Sequence, residues 1–167
     1  LIQQYKDKNE LDKVDKHVNR VKSSVNHLTS ILNDLLSLGK LEEGKIDIHK
    51  ESIHAVEFLK EVVEEFTMIK EGQKIKINAA PEVNHVLTDP GILRNILFNL
   101  ISNASKYSEE NKNIYLDCSI KDHHIICSVQ DEGIGIPKED QKHMFDRFFR
   151  ASNAGNVQGT GLGLNIV

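Results

Sequence analysis

Three asparagines and a lysine recur at regular spacing in the stretch NILFNLISNASKYS, residues 95–108: Asn95, Asn99, Asn103 and Lys106. Steps of four residues place the amides nearly above one another on a helix, and the lysine follows on the same face. An amide oxygen is a neutral hard ligand that suits Mg²⁺, and a lysine ammonium supplies a point charge for phosphate. The spacing therefore indicates a site for a magnesium-bound phosphate, with an ordinary solvated helix face as the alternative.

A second candidate site lies in DEGIGIP, residues 131–137, where Asp131 ends an apolar run and precedes Gly133 and Gly135. A carboxylate at the end of a strand can accept a hydrogen bond from an exocyclic amine. The glycines would let the backbone approach a flat base closely. Taken alone, the same letters are also typical of an ordinary turn.

The third candidate stretch, GTGLGL at residues 159–164, is glycine-rich and lies where a loop runs into a helical pattern. Backbone N–H groups of such a loop and of the helix N-terminus can hold phosphate oxygens. A glycine-rich turn is weak evidence by itself, and only the order of all three stretches within about 65 residues makes them informative.

The first part of the chain predicts one long helix. Apolar residues alternate at steps of three and four through residues 11–35, which is a 3.5-residue repeat and predicts a coiled-coil-like seam that needs a partner. We interpret LIQQY as the tail of an earlier helix, Asn9 as a cap and Gly44 as the C-terminal stop. The repeat consists of Leu11, Val14, Val18, Val21, Val25, Leu28, Leu32 and Leu35.

The rest of the chain alternates strands and helices, so we place a domain boundary between residues 1–44 and 45–167. Asp89 followed by Pro90 is a strong helix start, because a capping side chain precedes a proline in the first turn. The other predicted elements are a strand in KIDIHKESI, a helix over 54–70, strands in KIKINA and NHVLT, a hairpin of NIYLDCSI and IICSVQ, a helix from about Lys138 and the start of a last helix.

Composition narrows the function classes. The formal net charge of -4 does not favour nucleic acid or an anionic membrane. Cys118 and Cys127 lack CxxC spacing, so we expect reduced, buried thiols and no metal bound by them. No run of about 18 apolar residues and no signal-peptide pattern occurs. We therefore expect a cytoplasmic location, a membrane link only through segments absent from this chain, and a fragment of a longer protein.

In this order, the three stretches resemble the N, G1 and G2 boxes of the GHKL ATP-binding superfamily. FDRFFR, residues 145–150, looks like the F box of sensor histidine kinases, and VNHLTSILNDLLSLGKLEEGKI resembles the second helix of their dimerisation and phosphotransfer domain. The resemblance implies an α+β fold, namely a two-layer α/β sandwich of the Bergerat type, preceded by a long helix of a dimeric bundle. It also implies ATP and Mg²⁺ as cofactors.

The resemblance also implies roles for single residues. Asn103 matches the Mg²⁺ ligand, Asn99 and Lys106 match the catalytic residues near the phosphates, and Asp131 matches the aspartate that binds the adenine amine. Phe145, Phe148 and Phe149 are expected to pack the lid over the site, and Arg147 and Arg150 are expected to contact phosphate or another domain. The remaining matches are Tyr107 against the nucleotide, Gly133 and Gly135 at the adenine, and Gly159, Thr160, Gly161, Leu162 and Gly163 in the lid.

One position bears on the reaction type. Hydrolytic members of the superfamily usually carry a glutamate general base where this chain has Asn99, and an amide cannot accept a proton in that way. We therefore expect an ATP-dependent protein-histidine kinase that relays phosphate to a response-regulator receiver domain. The histidine is expected upstream of Leu1, because no H box, H-[ED]-x-[RK]-x-P, occurs and His17 and His27 flank the seam. The alternatives are a degenerate nucleotide-binding module without kinase activity and a hydrolytic ATPase.

Overall fold

The computed structural model describes residues 11–42, 44, 47–67, 69–122, 124–155 and 157–167. The chain divides into two compact units, Leu1–Lys45 and Ile46–Val167, which are described separately. The interpretations of LIQQY and of Asn9 fall outside the described residues.

The first unit contains the helix α1, Leu11–Glu42. This confirms the long helix that the 3.5-residue repeat predicts, and Gly44 follows its end in the left-handed region, with φ of +60°. Seven of the eight repeat residues are exposed, with 46% to 64% of each surface accessible. They are Leu11, Val18, Val21, Val25, Leu28, Leu32 and Leu35, and are called the α1 stripe below.

The second unit alternates strands and helices as expected. Its main helices are α2 (Ala55–Glu65) and α3 (Pro90–Tyr107). Its strands are β1 (Glu51–His54), β2 (Lys74–Ala79), β3 (His85–Thr88), β4 (Asn113–Lys121) and β5 (His124–Gln130). Short helices complete it: α4 (Lys138–Gln141), a 3₁₀ turn (Ser152–Ala154) and α5 (Gly163–Ile166).

Two sheets underlie the helices of the second unit. Strand β1 pairs antiparallel with β3, while β4 lies between β2, its parallel neighbour, and β5, its antiparallel neighbour. One face of the larger sheet packs on α2 and α3, which confirms the two-layer α/β fold. The fully buried centre of this layer contains Leu59, Val62, Leu97, Ile101 and Leu116.

Two element boundaries differ from the sequence-based prediction. Strand β1 begins only at Glu51, because β3 offers partners from His85 to Thr88 and the chain then turns into α3 at Asp89. Helix α2 ends at Glu65 rather than near residue 70. Phe66 adopts an extended conformation, is 6% exposed and packs its ring 5.9 Å from that of Phe98. The helix therefore ends where Phe66 turns into the core.

The two cysteines are neighbours across β4 and β5, with their sulfur atoms 2.9 Å apart. Both are free thiols; Cys118 is buried as expected, whereas Cys127 is only half-buried. Their shared hydrogen bond and burial raise the pKa of Cys118 above its ordinary value. The pair therefore favours the uncharged thiol at Cys118 and contributes to the core.

Asp89 caps α3 and makes its stability depend on pH. Its Oδ1 accepts from the Ile92 N–H at 3.0 Å and its Oδ2 from the His49 N–H at 2.7 Å. These bonds, that of Ile92 first, lower the pKa of Asp89 below the ordinary 3.8. A carboxylate with a lowered pKa in the folded state stabilises the fold above its unfolded pKa, and this contribution is lost as the pH falls through the folded value.

We therefore expect Asp89→Ala to lower the Tm at neutral pH, and the difference from wild type to narrow as the pH falls below 3.8. Thermal unfolding followed by circular dichroism measures both effects. Glu82→Ala, which changes an exposed loop carboxylate, serves as the control. A difference in Tm that stayed constant throughout the acid range would contradict this account.

Candidate functional site

Helix α3 buries one side and leaves its amide side half-open. Leu97, Ile101 and Ala104 are buried. Asn99 and Asn103 are half-buried, as are Lys106 and Tyr107, whereas Asn95 at the start of the row is exposed. The three asparagines predicted to share one helix face therefore differ in exposure. Only Asn99 and Asn103, in the C-terminal half of the helix, are partly enclosed.

Gly163, the first residue of α5, lies against two of these amides. A Cβ atom built on Gly163 would be 3.4 Å from Asn99 Oδ1 and 3.8 Å from Asn103 Nδ2. The structure thus brings the third candidate stretch to the amide row, although 60 residues separate Gly163 from Asn103 in sequence. A side chain larger than that of glycine would begin to occupy the space beside the amides.

Tyr107, at the end of α3, lies near both glycine-rich stretches, residues 131–137 and 159–164. Its carbonyl accepts from the Ile134 N–H at 3.3 Å, and the next residue, Ser108, forms an antiparallel bridge with Gly133. A Cβ atom on Gly133 would lie 2.6 Å from the Tyr107 carbonyl oxygen, so only glycine fits there. Near the side-chain end of Tyr107, a Cβ atom built on Gly159 would lie 3.8 Å from the hydroxyl, an ordinary contact distance.

Asp131 lies exposed at the start of the turn that follows β5. Its Oδ1 accepts from the Gly133 N–H at 2.8 Å, which fixes the carboxylate against its own turn. Gly135 has φ of +64°, the left-handed conformation that glycine adopts readily, and a Cβ atom there would meet nothing within 4 Å. The turn therefore presents one constrained carboxylate beside open space.

The segment from Gly159 to Gly163 is held by its own contacts. Thr160 Oγ1 accepts from the Leu162 N–H at 3.1 Å, and Leu162 is 1% exposed. Gly161 has φ of +72°, and a Cβ atom there would be 2.6 Å from the backbone carbonyl carbon of Phe148. The close approach of two backbones explains why this position needs glycine.

The aromatic residues of FDRFFR correct one expectation. Phe145 is 57% exposed and Phe148 is 64% exposed, so neither packs the lid as predicted. The physical reason at Phe148 is that its backbone, with φ of +61°, packs on Gly161 and leaves the ring outside. Phe149 is half-buried, and its ring lies 5.6 Å from that of His143.

The two arginines of this segment are both exposed. Arg150 donates through Nη2 to the carbonyl of Gly155, at 3.3 Å, and to that of Val157. It therefore holds the backbone of its own loop. Arg147 lies in the turns between α4 and the 3₁₀ turn.

Three polar side chains that the sequence analysis did not single out connect the loops around the site. Asp140 Oδ2 accepts from both the N–H and the hydroxyl of Ser152 at 2.8 Å, and these bonds lower the pKa of Asp140. Asn153 Nδ2 donates to the Gly135 carbonyl at 2.9 Å, and Asn165 Nδ2 to that of Phe145 at 2.9 Å. Their partners are distant in sequence, so no local pattern could have identified them.

A cavity of about 440 Å³ lies elsewhere in this unit and contains none of the predicted site residues. Within the described ranges, no cluster of three or more His, Cys, Asp or Glu residues is arranged to hold a metal ion. No helix of that part of the chain combines the length and hydropathy of a membrane span. The cavity is lined by His54, Val56, Lys60, Ile77, Ala79, Ala80, Pro81, Val83 and Asn84.

Residues 88–167, which contain all the predicted site residues, match the model of the family described as histidine kinase-, DNA gyrase B- and HSP90-like ATPase. Curated relatives include sensor histidine kinase WalK of Bacillus subtilis, 38% identical over 81% of this chain and 23% of the relative. Sensor histidine kinase YkoH of the same species is 32% identical over 92% of this chain and 33% of the relative. The chain thus spans a third or less of the length of these two proteins.

Solved structures agree with these relatives. Full-length ShkA, a structure in complex with AMPPNP, has a TM-score of 0.74 and 28% identity over 92% of this chain and 32% of that one. The mycobacterial sensor histidine kinase MprB has a TM-score of 0.59 and 25% identity over 71% of this chain and 75% of that one. The family match and the fold together define an ATPase domain of the histidine kinase type. Residues 88–167 fall in the histidine kinase-, DNA gyrase B- and HSP90-like ATPase family, and this part of the chain is a catalytic domain of the sensor histidine kinase type.

Gly133 provides a test of the contact between α3 and the turn after β5. We expect Gly133→Ala to lower the Tm, because the new methyl group would overlap the Tyr107 carbonyl oxygen, which is backbone and cannot move aside. Gly159→Ala is the matched control, since its methyl group would make only an ordinary contact. Differential scanning calorimetry compares the two, and equal Tm values for both variants would contradict the contact.

Proposed function

We propose that the second unit binds ATP with Mg²⁺ along the amide side of α3, with the adenine near Asp131 and the phosphates near Asn99 and Asn103. The observation that carries this proposal is the convergence on α3 of Gly163 at the amides and Gly133 at Tyr107. The complex of ShkA with AMPPNP, in a chain of similar fold, supports it.

At the adenine end, Asp131 would accept a hydrogen bond from the exocyclic amine. Its Oδ1 already accepts from Gly133, so its Oδ2 would be the oxygen directed to the base. Gly133 and Gly135 would shape the pocket for the flat ring, and Tyr107 would pack against the nucleotide.

At the phosphate end, the donor set fits Mg²⁺. Asn103 would hold the ion through its amide oxygen, and Asn99 and Lys106 would lie at the phosphates. Gly163, which carries no Cβ atom, lies beside both amides at the start of α5. Bound Mg²⁺ would neutralise charge that develops on the transferred phosphoryl group. Thr160 and the backbone from Gly159 to Gly163, Leu162 included, would close over the phosphates, and Arg147 and Arg150 are further candidates for contacts there.

The proposed reaction is transfer of the γ-phosphoryl group to a histidine of a partner helix, followed by relay to a response-regulator aspartate. Asn99 supports transfer over hydrolysis, because an amide cannot act as a general base for water. Catalysis would then rest on positioning and charge stabilisation. The 167-residue sequence contains no H box, so the acceptor histidine would come from outside it.

Residues 1–44, within the first unit, would supply the dimerisation segment, and residues 45–167 would form the catalytic part. The α1 stripe supports homodimerisation, because exposed apolar residues at 3.5-residue spacing bury their surface by packing on a second helix. The protein would act in the cytoplasm, with membrane attachment only through segments outside this chain and with no role for nucleic acid.

We expect ATP to bind in a Mg²⁺-dependent manner, and Asp131→Asn to weaken binding about tenfold or more. A hydrogen bond to a charged group contributes about 1.5–3 kcal/mol, and 1.4 kcal/mol corresponds to about tenfold. Isothermal titration calorimetry gives the affinities. Glu132→Gln, which changes the neighbouring exposed carboxylate, should bind like wild type. Equal affinities for wild type and Asp131→Asn would refute the adenine assignment.

Phosphotransfer can be tested by mixing the chain with a dimerisation helix that carries an H-box histidine, and adding labelled ATP. We expect acid-labile phosphate on that helix, lost with Asn99→Ala and retained with Asn95→Ala, whose side chain lies on the same helix but is exposed. Appreciable ATP turnover without the acceptor helix would overturn the interpretation of Asn99 and favour a hydrolytic ATPase.

A further inference from the structure

A buried glutamine lies against the end of α3. Gln73 is 7% exposed, and its Nε2 donates to the carbonyls of Ser105 at 3.2 Å, Glu109 at 2.9 Å and Ser108 at 3.4 Å. Its Oε1 accepts from the Ser105 hydroxyl at 2.7 Å and from the Lys70 N–H at 3.1 Å. The last carbonyls of a helix have no partner within it, so this side chain supplies donors that α3 itself cannot provide.

Lys70 adds a second set of bonds at the same place. Its Nζ donates to the carbonyls of Lys106 at 2.9 Å and Ser108 at 2.6 Å. A cation at a helix C-terminus also interacts favourably with the helix dipole. Lys70 and Gln73, from the loop between α2 and β2, are together called the C-terminal clamp of α3.

The carbonyls that the clamp binds belong to residues next to the candidate site. The residues that it holds flank Tyr107, whose carbonyl accepts from the Ile134 N–H, and include Ser108, which bridges to Gly133. The same few residues therefore bond to the loop before β2 on one side and to the turn after Asp131 on the other. A change in the last turn of α3 would move Tyr107 and the turn together.

We propose that Gln73 is a positioning residue for nucleotide binding, acting through the last turn of α3 on Tyr107 and on the turn that carries Asp131. This inference rests on the proposed function of the same site. Gln73 itself touches neither Asp131 nor the amides of Asn99 and Asn103 in the described contacts. Its effect is to fix the backbone that joins the phosphate end of the site to the adenine end.

The test compares Gln73→Leu with wild type. Leucine has a similar volume but no donor, so the carbonyls of Ser105 and Glu109 lose the hydrogen bonds from Gln73. We expect faster hydrogen exchange at the Ile134 amide and about tenfold weaker Mg²⁺-dependent ATP binding, both measured well below the Tm of the variant. Val62→Ala is the control, because it truncates a fully buried core residue of α2 and lowers stability without touching the clamp. It should leave ATP affinity and Ile134 exchange unchanged.

The outcomes separate this inference from the proposed function. If wild type binds ATP and Gln73→Leu binds it equally well, with unchanged Ile134 exchange, the inference is overturned and the proposed function stands. If wild type does not bind ATP, the proposed function fails, and the Ile134 exchange still decides whether Gln73 orders the turn. Should Gln73→Leu not fold, Lys70→Met, which removes an exposed ammonium from the same clamp, must show the same two effects with smaller size.

Discussion

The backbone bond from the Ile134 N–H to the Tyr107 carbonyl, together with the bridge between Ser108 and Gly133, joins helix α3 to the turn that follows β5. Gly133 makes the contact possible, since any Cβ atom would overlap the carbonyl of Tyr107. The amide row lies on one side of this junction and the carboxylate of Asp131 on the other. Two backbone contacts and the absence of a side chain at Gly133 join these two parts of the chain.

The rigidity of this arrangement comes from the opposite side of α3. Leu97 and Ile101 are fully buried against the sheet, and Asp89 satisfies an N–H group of the first turn. A helix fixed in this way at its start and along its apolar side can present polar groups at defined positions. A binding site built on a packed helix is held more accurately than one built on loops alone.

Local sequence signals predicted much of this fold. The 3.5-residue repeat gave α1, strict alternation gave β4 and β5, and the Asp89–Pro90 pair marked the start of α3 to the residue. Where the result depended on distant partners, prediction from sequence was limited. The N-terminal limit of β1 is set by β3, and the end of α2 is set by the packing of Phe66 on Phe98.

The same limit applied to the site. The motifs identified which residues belong together, but the exposure of Phe145 and Phe148 follows from how one loop packs on another. Gln73 gave no signal at all, because a glutamine after a glycine, at the start of a strand, is typical of a solvated loop. Only its buried bonds to α3 distinguish it. The roles of the individual site residues remain predictions for experiment.

The α1 stripe has a thermodynamic consequence for a chain with two units. A helix with its apolar residues in water gains little free energy from folding by itself. If it folds by pairing with a second copy, its melting obeys mass action and shifts with protein concentration. The other unit has its own buried core, so its melting would not depend on dilution. Dilution would thus melt the helix while leaving the sandwich intact, so that one polypeptide shows two transitions of different molecularity.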